Sequence, residues 1–228
     1  MTYLYFGNVV TSVSLQGKAN ILMVIVTMFW GISYTFMVMG LEVLEAYNVV
    51  ALRCLIAFII AGLIFLPKML RVNIKTILYA SIQGFLLFSV FALSLYGLKT
   101  TSAGNAGFIL SLTVVLVPII TSFMEKRLPS RAVSFAVVAT MIGITILTFN
   151  KSLAFQIGDI LVAIAAVCYS IYIILNSKFT KNVESISYGV YQLGVAGLFG
   201  AFFTMMFESP KLPSTSSGWV AILGLGII

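Results

Sequence analysis

The sequence contains no histidine, only two cysteines and few charged residues, and these shortages exclude several kinds of site. Charged residues occupy 8% of the 228 positions, whereas soluble domains carry about 25%. Cys54 and Cys168 both lie inside apolar stretches, so neither a zinc site nor a disulfide framework is predicted. No aspartate or glutamate lies near the middle of an apolar stretch. We therefore expect no enzyme active site, no metal and no cofactor.

Apolar residues make up 61% of the chain and form runs long enough to cross a membrane. A helix needs about 20 apolar residues to span the hydrocarbon core, and helices satisfy their own backbone polar groups there. The sequence therefore predicts an all-α integral membrane protein with seven complete spans and an eighth that begins near Ser217. The seven runs are 19–39, 46–66, 76–98, 100–124, 132–150, 160–177 and 185–207.

The excess of basic residues, which gives a net charge of +7, indicates topology here rather than a nucleic-acid partner, because these residues lie in short loops. Nine of them fall on one side of the predicted spans: Lys18, Lys68, Arg71, Lys75, Lys126, Arg127, Arg131, Lys178 and Lys181. The other side holds Lys99, Lys151 and Lys211 with Glu42, Glu45 and Glu208. The positive-inside rule places these nine residues and the N-terminus in the cytoplasm. We therefore expect a multi-pass protein of the plasma (inner) membrane.

A shift of 139 residues relates the two parts of the chain as an internal repeat. Runs that start at 19, 46 and 76 shift to 158, 185 and 215, close to the starts at 160, 185 and 217. The same shift pairs Trp30 with Tyr169 and Arg53 with Gln192. The first unit has an odd number of spans, so its copy must be inverted, as in many secondary transporters.

The repeat predicts three segments. They are a tail over 1–18, a first five-helix unit over 19–150 and an incomplete second unit over 151–228. We expect that about 60 further residues would complete the second unit and bring the total to ten helices.

Four stretches resemble the EamA-type branch of the drug/metabolite transporter superfamily. They are "FWGISYTF" (29–36), "EAYNVVALRCLIA" (45–57), "YGLKTTSAGNAGFILSLTVVLVPIITSFMEKRLPSR" (96–131) and "GDILVAIAAVCYSIYIILNSKF" (158–179). The resemblance implies a ten-helix carrier built of two inverted five-helix units, with both termini cytoplasmic. It also implies export or exchange of metabolites, amino acids or drugs. This sequence lacks the end of the eighth helix and all of the last two.

Aromatic and amide side chains inside the spans are the candidates for substrate binding. A buried indole or phenol needs a hydrogen-bond partner, so aromatic residues at membrane depth face either a polar cavity or neighbouring helices. The same two alternatives, a cavity or helix packing, apply to the amides. The candidates are Trp30, Tyr34, Gln83, Asn105, Tyr169 and Tyr172.

Four further residues are candidates for gating or structural roles. Arg53 is the one charge well inside a span, where it serves either as a structural anchor or as an anion-sensing or gating group. Its repeat partner Gln192 is a weaker polar candidate. Gly107 belongs to a stripe of small residues that lets helices approach closely. Pro118 removes a backbone donor within the fourth span, which produces either a functional hinge or a passively tolerated kink.

These observations predict a transporter that moves a small organic solute by alternating access, with a pocket between the first, third, fourth and sixth spans and the missing helices. The expected partners are the lipid bilayer and the solute. Two alternatives stay open. One is an inactive or partner-dependent fragment, which a homodimer or another protein would complete in the second case, and the other is a non-transporting multi-span membrane subunit.

Overall fold

The computed structural model describes residues 3–126, 129, 131–148 and 156–227. Nearly all of these residues are helical, and short turns join the helices. The helices are α1 (Tyr3–Leu41), α2 (Ala46–Ile64), α3 (Leu66–Met69), α4 (Ile74–Leu98), α5 (Ala103–Ser111), α6 (Thr113–Glu125), α7 (Arg131–Thr148), α8 (Ile157–Phe179), α9 (Ser185–Phe207) and α10 (Ser216–Ile227).

The described residues contain six helical segments long and apolar enough to span a membrane, which confirms an all-α membrane protein. These are Asn20–Leu41, Ala46–Ile64, Ile74–Leu98, Ala103–Glu125, Ile157–Phe179 and Ser185–Phe207. The fifth predicted span corresponds to α7, and the eighth run corresponds to the shorter helix α10. Helix α1 includes most of the predicted N-terminal tail, while the predicted boundary at 150/151 falls outside the described residues.

Polar side chains at the helix starts fix where several helices begin. Asn73 and Ser102 each accept a hydrogen bond from a backbone N–H in the first turn of α4 and α5, at 3.2 and 3.1 Å. Before α8, the backbone N–H of Gln156 donates to Asp159 at 2.9 Å as part of a capping box. Because each contact satisfies an otherwise unpaired donor, it favours a start at that residue.

The packing of the helices follows the predicted repeat. A shift of 139 residues relates α1, α2 and α4 to α8, α9 and α10 in turn. Helix α2 packs against its own counterpart α9. Helix α4 packs on α9 and α8, and its counterpart α10 packs in the same way on α2 and α1. This exchange of equivalent neighbours is what a two-fold relationship between inverted units produces.

The contact between α2 and α9 depends on glycines of α9, which we call the glycine seam: Gly194, Gly197 and Gly200. An added Cβ atom would lie 2.8 Å from Phe58 at Gly194, 2.8 Å from Leu55 at Gly197 and 2.7 Å from the backbone nitrogen of Ala51 at Gly200. The partner residues run backward along α2, so the two helices are antiparallel. Small residues permit this close approach. In lipid, the burial of apolar surface contributes little to helix association, so close packing matters more.

Polar loops gather at the two ends of the bundle. At one end, Lys99 pairs with Glu45, and the side-chain amide of Asn48 donates to the carbonyl of Lys211 at 2.8 Å. We call this the Lys99 end. At the other end, Nζ of Lys68 lies 3.8 Å from Glu184. We call this the Lys68 end. The separation of these loops agrees with the predicted alternation of the chain between two sides.

Candidate functional site

A cavity of about 560 Å³ lies between helices of both repeat units, and we call it the central cavity. Its wall is formed by side chains of α1, α2, α4, α5, α8, α9 and α10. The volume falls within the range of about 300–1,000 Å³ typical of small-molecule sites. The cavity therefore has room for a small organic molecule.

Aromatic rings from α1 and α8 form one wall of the central cavity. The ring centroids of Trp30 and Tyr169 are 5.3 Å apart, and those of Tyr169 and Tyr172 are 5.7 Å apart. Tyr34, one turn after Trp30, lines the same cavity. The hydroxyl of Tyr172 donates to Oε1 of Gln192 at 3.1 Å and so joins α8 to α9. This wall offers stacking surfaces together with phenol hydroxyls.

Arg53 of α2 supplies the positive charge of the cavity wall. Its side chain is 9% exposed, and its guanidinium carbon lies 4.1 Å from the centroid of the Phe91 ring. Buried Nη1 has no hydrogen-bond partner in the described part of the chain. The same is true of Oγ of Ser94, which also lines the cavity. The wall formed by α2 and α4 therefore presents polar groups that no described residue pairs.

Six of the ten residues singled out from the sequence line the central cavity: Trp30, Tyr34, Arg53, Tyr169, Tyr172 and Gln192. They come from α1, α2, α8 and α9. The sequence placed the pocket between the first, third, fourth and sixth spans, and the structure adds α2, α9 and α10 to it. The charge of Arg53 was the signal in the sequence that could have indicated the contribution of α2.

Gln83 and Asn105, predicted from the sequence to contact a substrate, are not among the described residues that line the central cavity. Gln83 is fully buried, and its amide donates to the backbone carbonyl of Tyr172 at 3.0 Å. It therefore connects α4 to α8 behind the aromatic wall. Asn105 lies in the first turn of α5, where its backbone N–H donates to Ser102. Depth in the membrane alone did not distinguish these amides from cavity residues.

Gly107 and Pro118 also lie away from the central cavity. An added Cβ atom at Gly107 would meet no atom within 4 Å, so this glycine makes no close helix contact among the described residues. The tight packing that the small-residue stripe predicts occurs instead along the glycine seam. The fourth span is interrupted at Leu112, between α5 and α6, and Pro118 lies further along, inside α6.

A second, polar cavity of about 490 Å³ opens at the Lys99 end, and Glu208 is one of its lining residues. The backbone N–H groups of Tyr47 and Asn48 donate to the two carboxylate oxygens of Glu208, at 3.0 and 2.9 Å. The Tyr96 hydroxyl donates to Oε1 at 2.9 Å. Glu208, which follows α9, therefore caps the first turn of α2. No local pattern in the sequence indicates this contact, because about 160 residues separate the partners.

Known proteins match the chain in sequence and in fold. A model of a family described as the EamA-like transporter family matches residues 17–149 and 156–228. A curated relative from Archaeoglobus fulgidus, described as "Uncharacterized transporter", is 27% identical over 194 residues, which cover 83% of this chain. The chain spans 60% of that relative's length. A solved structure described as "Crystal structure of protein" has a TM-score of 0.64 at 20% identity, over 88% of this chain and 70% of that one, and shows a shared fold.

Proposed function

The chain belongs to the EamA-like transporter family, and on this premise we propose that it binds a small organic solute in the central cavity and carries it across the membrane by alternating access. The observation that carries the proposal is the position of the cavity between the two repeat units. Secondary transporters built of inverted repeats bind their substrates at this interface. The contact between the repeat partners Trp30 and Tyr169 lies in the wall of the cavity.

The packing supports a specific form of this movement. The glycine seam holds α2 of the first unit against α9 of the second with little space between the backbones. The aromatic wall instead joins α1 to α8 through side chains, which can rearrange without moving a backbone. We propose that the units rock about the seam while the aromatic wall opens and closes around the solute. Such rigid-body movement is common in transporters of this architecture.

We also propose that the Lys68 end faces the cytoplasm of a plasma (inner) membrane. Lys68 and Arg71 lie there, and Lys178 and Lys181 lie at the end of α8 that leads to Glu184. A surplus of basic loop residues is typical of the cytoplasmic side. A membrane-impermeant maleimide tests this orientation in intact cells. It should label Ser209→Cys from outside and leave Lys181→Cys unlabelled until the cells are opened.

Flux into proteoliposomes tests the function directly. The purified full chain should accumulate a labelled aromatic solute, with phenylalanine and phenylacetate as the first probes, faster than protein-free liposomes. Trp30→Ala should reduce this flux, whereas Phe123→Ala, a change at an 81% exposed residue outside the cavity, should not. Equal flux with the wild type, with Trp30→Ala and without protein would instead favour a non-transporting subunit or a chain that needs a partner.

A further inference from the structure

Arg53 is the charged residue of the central cavity wall, and the described residues provide no counter-ion for it. All six side-chain carboxylates of the sequence lie within the described residues. Four of them have other partners: Glu45 pairs with Lys99, Glu184 with Lys68, Asp159 accepts from Thr101, and Glu208 caps α2. The remaining two, Glu42 and Glu125, are exposed and do not line the cavity. The charge of Arg53 is therefore not neutralised from within the described chain.

The unpaired state of Arg53 is unusual for a side chain so buried. A buried charge is costly unless it is paired and hydrogen-bonded, and arginine within membrane spans normally faces a partner or water. The guanidinium carbon lies 4.1 Å from the centroid of the Phe91 ring, which is a cation–π contact. Nη1 remains without a hydrogen-bond partner among the described residues.

Ser94 adds a second unpaired group to the same wall. Its side chain is 2% exposed, and its Oγ has no hydrogen-bond partner in the part of the chain that the structure describes. Ser94 follows Phe91 by three residues on α4, so both lie on one helix face. The ring that contacts Arg53 therefore lies one helix turn from a hydroxyl that has no hydrogen-bond partner among the described residues. Two hydrogen-bond donors, one of them charged, are available in one region of the cavity.

We infer that the central cavity recognises an organic anion, namely a small molecule with one carboxylate and an apolar, ring-containing body. The planar guanidinium matches the two oxygens of a carboxylate, and its single charge balances one negative charge. The Ser94 hydroxyl provides a further donor to the same group. The aromatic wall of Trp30, Tyr169 and Tyr172 provides the surface for the body of the molecule. This inference names the substrate class of the proposed transporter and so rests on the proposed function.

Tryptophan fluorescence gives a direct test, because Trp30 lines the cavity and the sequence has one other tryptophan. Trp219 lies outside the cavity. The substitution Trp219→Phe therefore leaves Trp30 as the tryptophan whose fluorescence reports ligand binding in the purified full chain. We would titrate phenylacetate and its neutral analogue phenylacetamide and compare the dissociation constants. Phenylacetate should bind about tenfold more tightly or better, as expected for a charge-assisted hydrogen bond.

Variants assign this preference to Arg53. Arg53→Gln should abolish the preference for phenylacetate over phenylacetamide. Arg53→Lys should retain part of this preference, because lysine keeps the positive charge but lacks the planar guanidinium. Ser94→Ala should weaken phenylacetate binding about threefold and serves as the second test if Arg53→Gln does not fold. Arg71→Gln removes an exposed arginine outside the central cavity and should leave both constants unchanged.

The outcomes separate this inference from the proposed function. If acid and amide bind equally well, the cavity is a binding site but the anion inference is wrong. If neither ligand changes the fluorescence of Trp30, the cavity itself is not the site. Undiminished acid preference in Arg53→Gln would also overturn the inference. A lipid phosphate is the competing anion, so vesicles of phosphatidylglycerol are added in place of the acid. A response of Trp30 to these vesicles alone would overturn the assignment to a solute.

Discussion

The indole ring of Trp30 and the phenol ring of Tyr169 lie 5.3 Å apart, although 139 residues separate them in the sequence. They occupy equivalent positions in the two repeat units, so an aromatic residue of each unit meets its own counterpart. The pair contributes to the wall of the central cavity. A solute that touches this pair would contact both repeat units at once.

The pair should therefore affect solute affinity more than stability. An aromatic pair contributes about 0.5–1.5 kcal/mol beyond the area it buries, so Trp30→Ala or Tyr169→Ala should raise the KM of transport roughly two- to tenfold. The double variant should lose less than the two single losses combined, because each single variant already breaks the contact. Flux measurements on proteoliposomes give these values. A KM unchanged in both single variants would contradict a role in binding.

The glycine seam predicts that two glycine-to-alanine variants differ clearly in thermal unfolding temperature. A Cβ atom at Gly200 would lie 2.7 Å from the backbone nitrogen and 2.9 Å from Cα of Ala51, and neither atom moves without shifting α2. Overpacking of this kind costs about 1–3 kcal/mol. Gly200→Ala should therefore lower the thermal unfolding temperature in detergent. Gly107→Ala should leave it equal or higher, since that site is open and alanine favours a helix.

Glu208 is expected to stabilise α2 from a distance. Removing its carboxylate with Glu208→Ala leaves the N–H groups of Tyr47 and Asn48 and the hydroxyl of Tyr96 without their acceptor. Loss of a helix cap costs about 0.5–2 kcal/mol, and unfolding in detergent should reveal the difference. Glu42→Ala removes an exposed carboxylate from the same cavity and is the matched control. Similar unfolding temperatures for both variants would argue against the capping role.

The stability of the Lys68 end should depend on pH through Glu184. The backbone N–H of Ser187 donates to its carboxylate at 2.7 Å, and with the N–H of Ile186 and the charge of Lys68 this lowers the pKa of Glu184 below its ordinary value of 4.5. The carboxylate therefore contributes its full stabilisation above the ordinary pKa. This stabilisation is lost as the pH falls through the lower pKa of the folded state.

Thermal unfolding between pH 7 and pH 3 checks this dependence. Glu184→Gln should unfold at a lower temperature than the wild type at pH 7, and the difference should shrink on acidification below about pH 4.5. Glu125→Gln changes an exposed carboxylate that has no hydrogen bond or ion pair among the described residues, and it should follow the wild type throughout. A difference between Glu184→Gln and the wild type that stays constant with pH would show that the contact carries no charge-dependent stability.

The sequence was sufficient to predict most of the fold because membrane spans depend on local composition. The runs 46–66, 76–98 and 185–207 coincide with α2, α4 and α9 within a few residues. Their lengths are set by the thickness of the bilayer, which does not depend on tertiary contacts. The inverted repeat was likewise visible as a spacing of run boundaries. The interruption at Leu112 was not predicted, because it lies six residues before Pro118 and no proline or glycine marks it in the sequence.

The site was only partly predictable, because the face of a membrane helix cannot be read from polarity alone. Trp30 and Gln83 both lie deep in spans, yet Trp30 lines the cavity while Gln83 is enclosed between α4 and α8. The direction of each side chain depends on how the helices are rotated against their neighbours. That rotation is fixed by contacts such as the glycine seam and Glu208 with α2, whose partners lie more than 100 residues apart.

The glycine seam also has a consequence for the proposed rocking movement. The close approach of α2 and α9 over residues 194–200 lies in the middle part of both helices, so the units would turn about a contact away from the helix ends. A lever supported at its centre moves its two ends in opposite directions. In the proposed movement, opening of the Lys68 end about this contact would narrow the Lys99 end, so the two entrances would not be open together.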